Sequence, residues 1–366
     1  MTDAALTLDA QRLTTVVHAI VRAGGSTEYE AALVATSLVD ANLAGHDSHG
    51  VGMIARYVDA ILEGGLAINQ HPRVVVDAGA MLSLDGCLGY GQVIGRETMD
   101  LAIERARAHG NAAVALARSH HLGRIGQWAE QAAAAGLVSI HFVNVRARPM
   151  VAPWGAGDAR HGTNPFCVGI PRRGAPPVIL DFATSRIAQG KARVAYNKGI
   201  PVPPDALIDA QGRPTTDARF AVVEPFGALL PFGDHKGSGL ALVCELLGGA
   251  LTGGRTGESP ADTPMQVLNC MLTILLDPER LGTRNNFLDQ TEHFVEWVKS
   301  APVAAGFDQV RVAGDPEREM REKRLREGIP VDPNTWDEIL RAGVKFGLPR
   351  GDLQRLVVSD ATDSNR

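Results

Sequence analysis

The periodicity of the chain changes at Val74, and that change restricts the fold more than any other feature. Before it, Leu13, Val16, Val17, Ile20 and Val21 recur at helical spacing and form one apolar stripe, which Gly24-Gly25 ends. Ser26 is placed to cap a second helix over about 27–44, stopped by Gly45. Met53, Ile54, Tyr57, Ile61 and Leu62 mark a third that ends at Gly64-Gly65. Beyond Val74 come short strand-like runs at 74–76, 81–84, 113–116 and 138–143, separated by alanine-rich helical stretches at about 93–109 and 125–136. These patterns predict a helical N-terminal domain over 1–75 and a mixed α/β domain over 76–319. Pro201, Pro203, Pro204 and Pro214 make about 192–230 an excursion from that body. An apolar helix is expected at 237–251 and a strand at 267–276. C-terminal helices follow over 320–350, one opened by Asp332-Pro333 and closed by Gly347 after Lys345, and then a polar tail at 359–366.

With 366 residues, 45% of them hydrophobic, the chain has material for a large core. Its net charge of −5 offers no basic footprint for nucleic acid. No apolar run reaches the roughly 18 residues of a membrane span, and Met1-Thr2-Asp3-Ala4 lacks the basic and apolar opening of a signal peptide. The expectation is a cytoplasmic protein with neither a nucleic-acid nor a membrane partner. Cys87, Cys167, Cys244 and Cys270 are far apart and form no CxxC pair, so they read as reduced core residues.

Four clusters carry candidate chemistry. The run from Gly45 to Val51 packs two imidazoles, a carboxylate and a hydroxyl between two helices, which puts Ser48 and His49 at or just before a helix N-terminus. There the dipole disfavours imidazolium and leaves a neutral proton acceptor. The plain alternative makes Asp47 or Ser48 an N-cap and the histidines loop surface. In the second cluster, Ser119-His120-His121-Leu122-Gly123-Arg124 follows a strand, and Arg124 could help hold a phosphate or carboxylate where a helix starts near Ile125. The alternative is a capped turn with incidental histidines. In the third, a strand over 178–180 delivers Asp181-Phe182-Ala183-Thr184-Ser185, with Lys191 beyond. A carboxylate and hydroxyls at a strand's C-terminal end suit ribose or carboxamide groups, or else Thr184 or Ser185 merely caps a helix. In the fourth, His235-Lys236 precedes the helix from Gly237, where lysine and helix amides could anchor a pyrophosphate.

Two alternatives are weighed against these. Gly89-Tyr90-Gly91-Gln92-Val93-Ile94-Gly95 imitates a dinucleotide fingerprint, but its last gap is one residue too long, and no acidic partner follows at the expected distance. The histidines and Asp47 could instead serve a metal-dependent hydrolase, yet no H-E-x-x-H spacing occurs, and no metal is expected.

Taken in order, Asp47-Ser48-His49-Gly50-Val51, Gly162-Thr163-Asn164-Pro165, Asp181-Phe182-Ala183-Thr184-Ser185 and His235-Lys236-Gly237 with Leu240-Ala241 resemble the malate/L-lactate dehydrogenase family from about Leu8 to Gly347. That family also holds sulfolactate and ureidoglycolate dehydrogenases and piperideine-carboxylate reductases. The wording from Gly45 to Ile54 is most similar to its hydroxycarboxylate dehydrogenase B branch. The resemblance implies an α+β fold that binds nicotinamide dinucleotide without a Rossmann domain, on a largely antiparallel sheet flanked by helices, and a homodimer. It puts Ser48, His49 and His121 in the catalytic centre and Thr163 against substrate. It puts His121, Leu122, Gly123, Arg124, Ile125, Asp181, Phe182, Ala183, His235, Lys236, Gly314, Glu317 and Arg318 around the cofactor.

Two departures from the family pattern shape the expected chemistry. Many relatives carry Arg five residues after the motif serine as a carboxylate clamp, whereas this chain has Met53 there and Arg56 a turn later. Lys191 stands where the imine-reducing branch has an acidic residue, and an ammonium cannot play that acidic part. Arg56 and Lys191 are therefore the expected substrate cations. The expected activity is hydride transfer between NAD(H) and a small 2-hydroxy/2-oxo acid, with imine reduction the nearest alternative. NADP is the alternative cofactor, disfavoured because no compact Arg pair suited to a 2′-phosphate is visible.

Overall fold

The structure is a computed structural model that describes residues 6–259 and 262–357; the expected polar tail at 359–366 lies outside the described residues. The chain divides into two compact units. One comprises the chain up to Asn69, Thr263–Met265 and the segment from Pro316, and the other comprises Gln70–Asp262 and Gln266–Asp315.

In the first unit, the sequence stripe is what helix Ala10–Ala23 buries: Leu13, Val16, Val17, Ile20 and Val21 are each 1% exposed or less. Each such side chain contributes roughly 1.5–3 kcal/mol on burial. The helix packs on Glu28–Leu43. That second helix is capped by Thr27, whose hydroxyl accepts the Glu30 amide, and not by Ser26, whose hydroxyl donates to the Glu30 carboxylate at 2.6 Å. Helix Met53–Leu62 packs on Pro333–Lys345, which opens as expected: Asp332 accepts the Thr335 amide, and proline occupies the first turn. Strands Leu6–Leu8 and Ile329–Val331 pair antiparallel, joining the early and late parts of the unit.

The second unit is built on a seven-stranded sheet. In chain order its strands are β1 (Arg73–Ala78), β2 (Met81–Asp85), β3 (Asn111–His120), β4 (Val138–Arg146), β5 (Phe166–Ile170), β6 (Val178–Phe182) and β7 (Leu268–Leu276). Their spatial order is β1-β2-β3-β7-β4-β5-β6, with only the β2–β3 pairing parallel. Because β1 pairs with β2, the division of the chain falls at Asn69/Gln70, ahead of the expected 75. The core between sheet and helices gathers Leu84, Ile94, Met99, Leu116, Trp128, Val143 and Met271. The proline-rich excursion forms a small layer of its own, with strands Leu207–Ile208, Pro214–Thr215 and Ala228–Leu229, helices Gln189–Lys198 and Arg219–Val222, and a core around Val151, Val202 and Leu229.

The glycines that imitate a dinucleotide fingerprint are used for packing. A Cβ at Gly95 would lie 2.5 Å from the Trp128 ring, and one at Gly91 would collide with the main chain of His121 and Leu122. Helix Gly91–His109 thus comes close to its neighbours, and these glycines are spent on that approach. Cys167, Cys244 and Cys270 are buried; burial pushes Cys244 up to about 12 and Cys167 well above its ordinary value, so both stay protonated. Cys87 is only half-buried, in a left-handed turn at φ 52°.

Candidate active site

In the first unit, Asp47–His49 forms a single 3₁₀ turn, and the next helix begins only at Met53. Ser48 and His49 therefore stand just before that helix, upstream of its N-cap Gly52, and not in its first turn. Asp47 cannot cap it, because its carboxylate is taken by the Arg324 guanidinium at 2.6 and 3.0 Å and by Asn42 Nδ2 at 2.6 Å. Asn42 Oδ1 in turn accepts the Val51 amide at 2.8 Å, so one asparagine ties both ends of the loop. Gly50 lies against that same side chain, with no space for a Cβ. This clamp presents Ser48 exposed and His49 half-buried. His46 Nε2 lies 3.3 Å from Glu317, which therefore serves the histidine loop. Arg56 Nε donates to the Met265 carbonyl at 2.9 Å.

In the second unit, the His121, Asp181, Thr163 and His235 clusters are linked to one another. His121 is buried, and the following Leu122 amide donates to Asn269 Oδ1 at 2.8 Å. Arg124 is buried beside Glu130 at 2.6 Å. Asp181, at the end of β6, reaches the first amide of helix Gly126–Ala134: its Oδ2 accepts the Gly126 N–H at 2.7 Å. The anion expected where this helix starts is thus supplied by the chain itself. Thr184 is fully buried and donates both its amide and its hydroxyl to the Thr163 carbonyl, at 2.8 and 3.0 Å. The Phe182 ring meets Phe232 edge-on at 5.2 Å, which draws the next loop in.

That loop departs from expectation in one respect. The helix runs His235–Val243, and the amides of Lys236, Gly237 and Ser238 already donate to the carbonyls of Gly233, Phe232 and Asp234. Those three amides are therefore taken, which leaves the exposed Lys236 ammonium and the His235 amide as the donors of that turn for a phosphate. His235 is also exposed and lies edge-on to Trp154, with ring centroids 5.7 Å apart. Lys191 is exposed on helix Gln189–Lys198, and Gly314 precedes helix Asp315–Glu327, which carries Arg318, with a left-handed φ of 94°.

A buried polar network that sequence reasoning missed fixes these pieces. Glu245, 7% exposed, accepts from Asn164 Nδ2 at 2.7 Å, from Asn144 Nδ2 at 3.3 Å and from the Gly257 amide. Asn164 also accepts the Val145 amide at 3.1 Å, and Asn269 donates to the Asn144 carbonyl at 2.9 Å while holding Leu122. The signal was faint: Asn269 interrupts an apolar strand, and Glu245 interrupts an apolar helix. Elsewhere on the sheet, His141 is fully buried and its pKa is pushed down to about 3 by desolvation, so it stays neutral.

The family model described as malate/L-lactate dehydrogenase matches residues 8–340. The chain belongs to the malate/L-lactate dehydrogenase family. Within it, the hydroxycarboxylate dehydrogenase B of Escherichia coli (strain K12) is 51% identical over 348 residues, 94% of this chain and 96% of that protein. The L-lactate dehydrogenase of Cupriavidus necator is 41% identical over 312 residues, 84% of this chain and 88% of that protein. The solved sulfolactate dehydrogenase of Methanocaldococcus jannaschii superposes with a TM-score of 0.84 at 30% identity, covering 95% of this chain and 99% of that one, so the likeness extends over nearly the whole malate/L-lactate dehydrogenase fold. Membership in the family makes the chain an oxidoreductase of hydroxy acids.

Proposed function

We propose that the protein is an NAD(H)-dependent 2-hydroxycarboxylate dehydrogenase, working as a cytoplasmic homodimer that holds its cofactor on the largely antiparallel sheet without a Rossmann domain. The observation that carries the reading is the joining of four motifs in one unit: the His121–Arg124 loop, Thr163, the end of β6 and the His235–Lys236 turn. The donor set fits a dinucleotide through side chains more than through amides. Lys236 and His235 present a cation and a ring at the surface, and Phe182 and Ala183 lie at the strand end where ligands gather. Gly314, Glu317 and Arg318 are assigned to the cofactor as well. When bound, the nicotinamide accepts or returns a hydride.

The residues of the chain move the proton. In oxidation, the C2–H bond breaks with its electron pair leaving as hydride, and the hydroxyl proton goes to an imidazole; in reduction, the imidazolium returns it to the developing alkoxide. His49, with Ser48 beside it, is the first candidate and His121 the second. Arg56 and Lys191 are assigned to the substrate carboxylate and Thr163 to its oxygen functions.

The decisive assay is NADH and NADPH oxidation with a panel of 2-oxo acids, with and without chelator. Turnover with NADH that survives chelation is expected. Loss on chelation with recovery on zinc would favour the hydrolase, and preference for a cyclic imine would favour the reductase. His49→Ala is expected to lower turnover roughly 10²–10⁴-fold; near-normal turnover would transfer the proton role to His121.

A further inference from the structure

The second unit contains a cavity of about 350 Å³ whose lining includes Arg118, Arg146 and Arg255 against one carboxylate, Asp262. Three guanidinium groups and one acid leave that lining two charges positive, on a chain whose net charge is −5. Concave, low-dielectric walls focus such a field.

Each arginine is set in place by the fold. Arg146 ends β4 with its side chain only 8% exposed; its Nε donates to the Ser259 carbonyl at 3.1 Å and its Nη2 to Asp262 at 2.8 Å. Asp262 is 60% exposed, so water screens much of the neutralisation it offers a buried guanidinium. Arg118 lies in β3 where the pairing with β7 slips between Asn269 and Met271, at a left-handed φ of 56°. Such a bulge re-aims a side chain out of the strand's alternation. The acid beside it, Asp85, is shared: one oxygen takes Arg118 at 3.2 Å and Arg73 at 2.9 Å. The main chain at Arg255 is fixed by Asn144, which donates to its carbonyl at 3.0 Å. Gly253 adds space, because a Cβ there would meet nothing within 4 Å.

We propose that this cavity is a binding site for a small anion carrying two or more negative charges, gripped by Arg118, Arg146 and Arg255. Guanidinium forks match carboxylate and phosphate oxygens equally well, and the volume lies at the lower end of the roughly 300–1,000 Å³ that small ligands occupy. The chemistry is shared by polycarboxylates and phosphate groups.

The test is calorimetric titration of the full-length protein, without cofactor, with citrate and separately with inorganic phosphate at low ionic strength. Saturable one-site binding of at least one probe is expected; citrate alone identifies a polycarboxylate site and phosphate alone a phosphate site. Arg118→Gln and Arg255→Gln, both exposed and safe for folding, should each weaken binding about tenfold. Arg173→Gln, whose side chain pairs with Asp289 on another part of the unit, should leave it unchanged. Absence of heat with both probes, or affinity unchanged in both cavity variants, would overturn the proposal whatever the enzyme's activity.

Discussion

Asp181 Oδ2 accepts the Gly126 amide at 2.7 Å, so a carboxylate from the end of a strand supplies the negative charge at the start of a helix far from it in sequence. The sequence offers the same side chain as a partner for ribose or carboxamide groups, and its helix-capping work is invisible there. Asp181→Ala should lower stability by about 1–2 kcal/mol, and Asp181→Asn, which keeps an acceptor but no charge, by roughly half as much. Urea unfolding of the two variants measures the difference; equal losses would mean that the charge contributes nothing.

Glu245 is the most heavily used buried acid of the network. Removing its carboxylate in Glu245→Ala leaves the Asn144, Asn164 and Gly257 donors without that acceptor. A destabilisation of about 3 kcal/mol is expected. Glu245→Gln should recover only part of this, since its amide turns a donor toward donors. Denaturant midpoints with unchanged slopes would report it cleanly.

Acid should destabilise the second unit through His141. Its folded pKa is pushed down to about 3 by burial, below the ordinary 6.5. The unfolded chain therefore binds the proton first, and stability falls as pH drops below 6.5 until both states are protonated near 3. The loss from this group is about 2 kcal/mol at pH 5. Unfolding free energies at pH 7 and pH 5 for the natural chain and for His141→Gln test it: the variant should lose distinctly less between the two.

The Asp47–Arg324 pair holds the turn that carries Ser48 and His49. Because misplacing a reacting group by about an ångström costs on the order of 10²-fold, Arg324→Ala should reduce turnover with a 2-oxo acid by roughly 10–100-fold while thermal unfolding shifts by only a few degrees. Normal turnover would show that the loop holds itself.

What the sequence made legible was local. The Leu13 to Val21 stripe, the Asp332-Pro333 cap and the strand at 268–276 are set by residues within a turn or two of each other, and each lies where the pattern put it. Choices between neighbours were harder: Ser26 and Thr27 are equally good caps, and only the position of Glu30 decides between them. Helix Arg284–Lys299 gave little signal because Val295 is its one buried residue. The clamp on Asp47 and the seat of Asp181 depend on partners 277 and 55 residues away, which no local pattern encodes. The malate/L-lactate dehydrogenase motifs were readable as strings, but the network that links the His121 loop to Thr163 and Asn164 was not.

The first unit is assembled from the two ends of the chain, and this has a consequence during synthesis. Helices Ala10–Ala23 and Glu28–Leu43 leave the ribosome early, yet Arg321 and Arg324, which pair with Asp40 and Asp47, follow 281 and 277 residues later. At roughly 5–20 residues per second, the wait is on the order of 14–55 s. Throughout it, the face of helix Met53–Leu62 that packs on Pro333–Lys345 stays uncovered. The sheet can close once β7 at Leu268–Leu276 has been made, whereas the histidine loop acquires its clamp only after Arg324 follows. A nascent chain stalled before Pro316 should therefore engage chaperones through its first sixty residues, even though β7, the strand that joins the two halves of the sheet, has already been made.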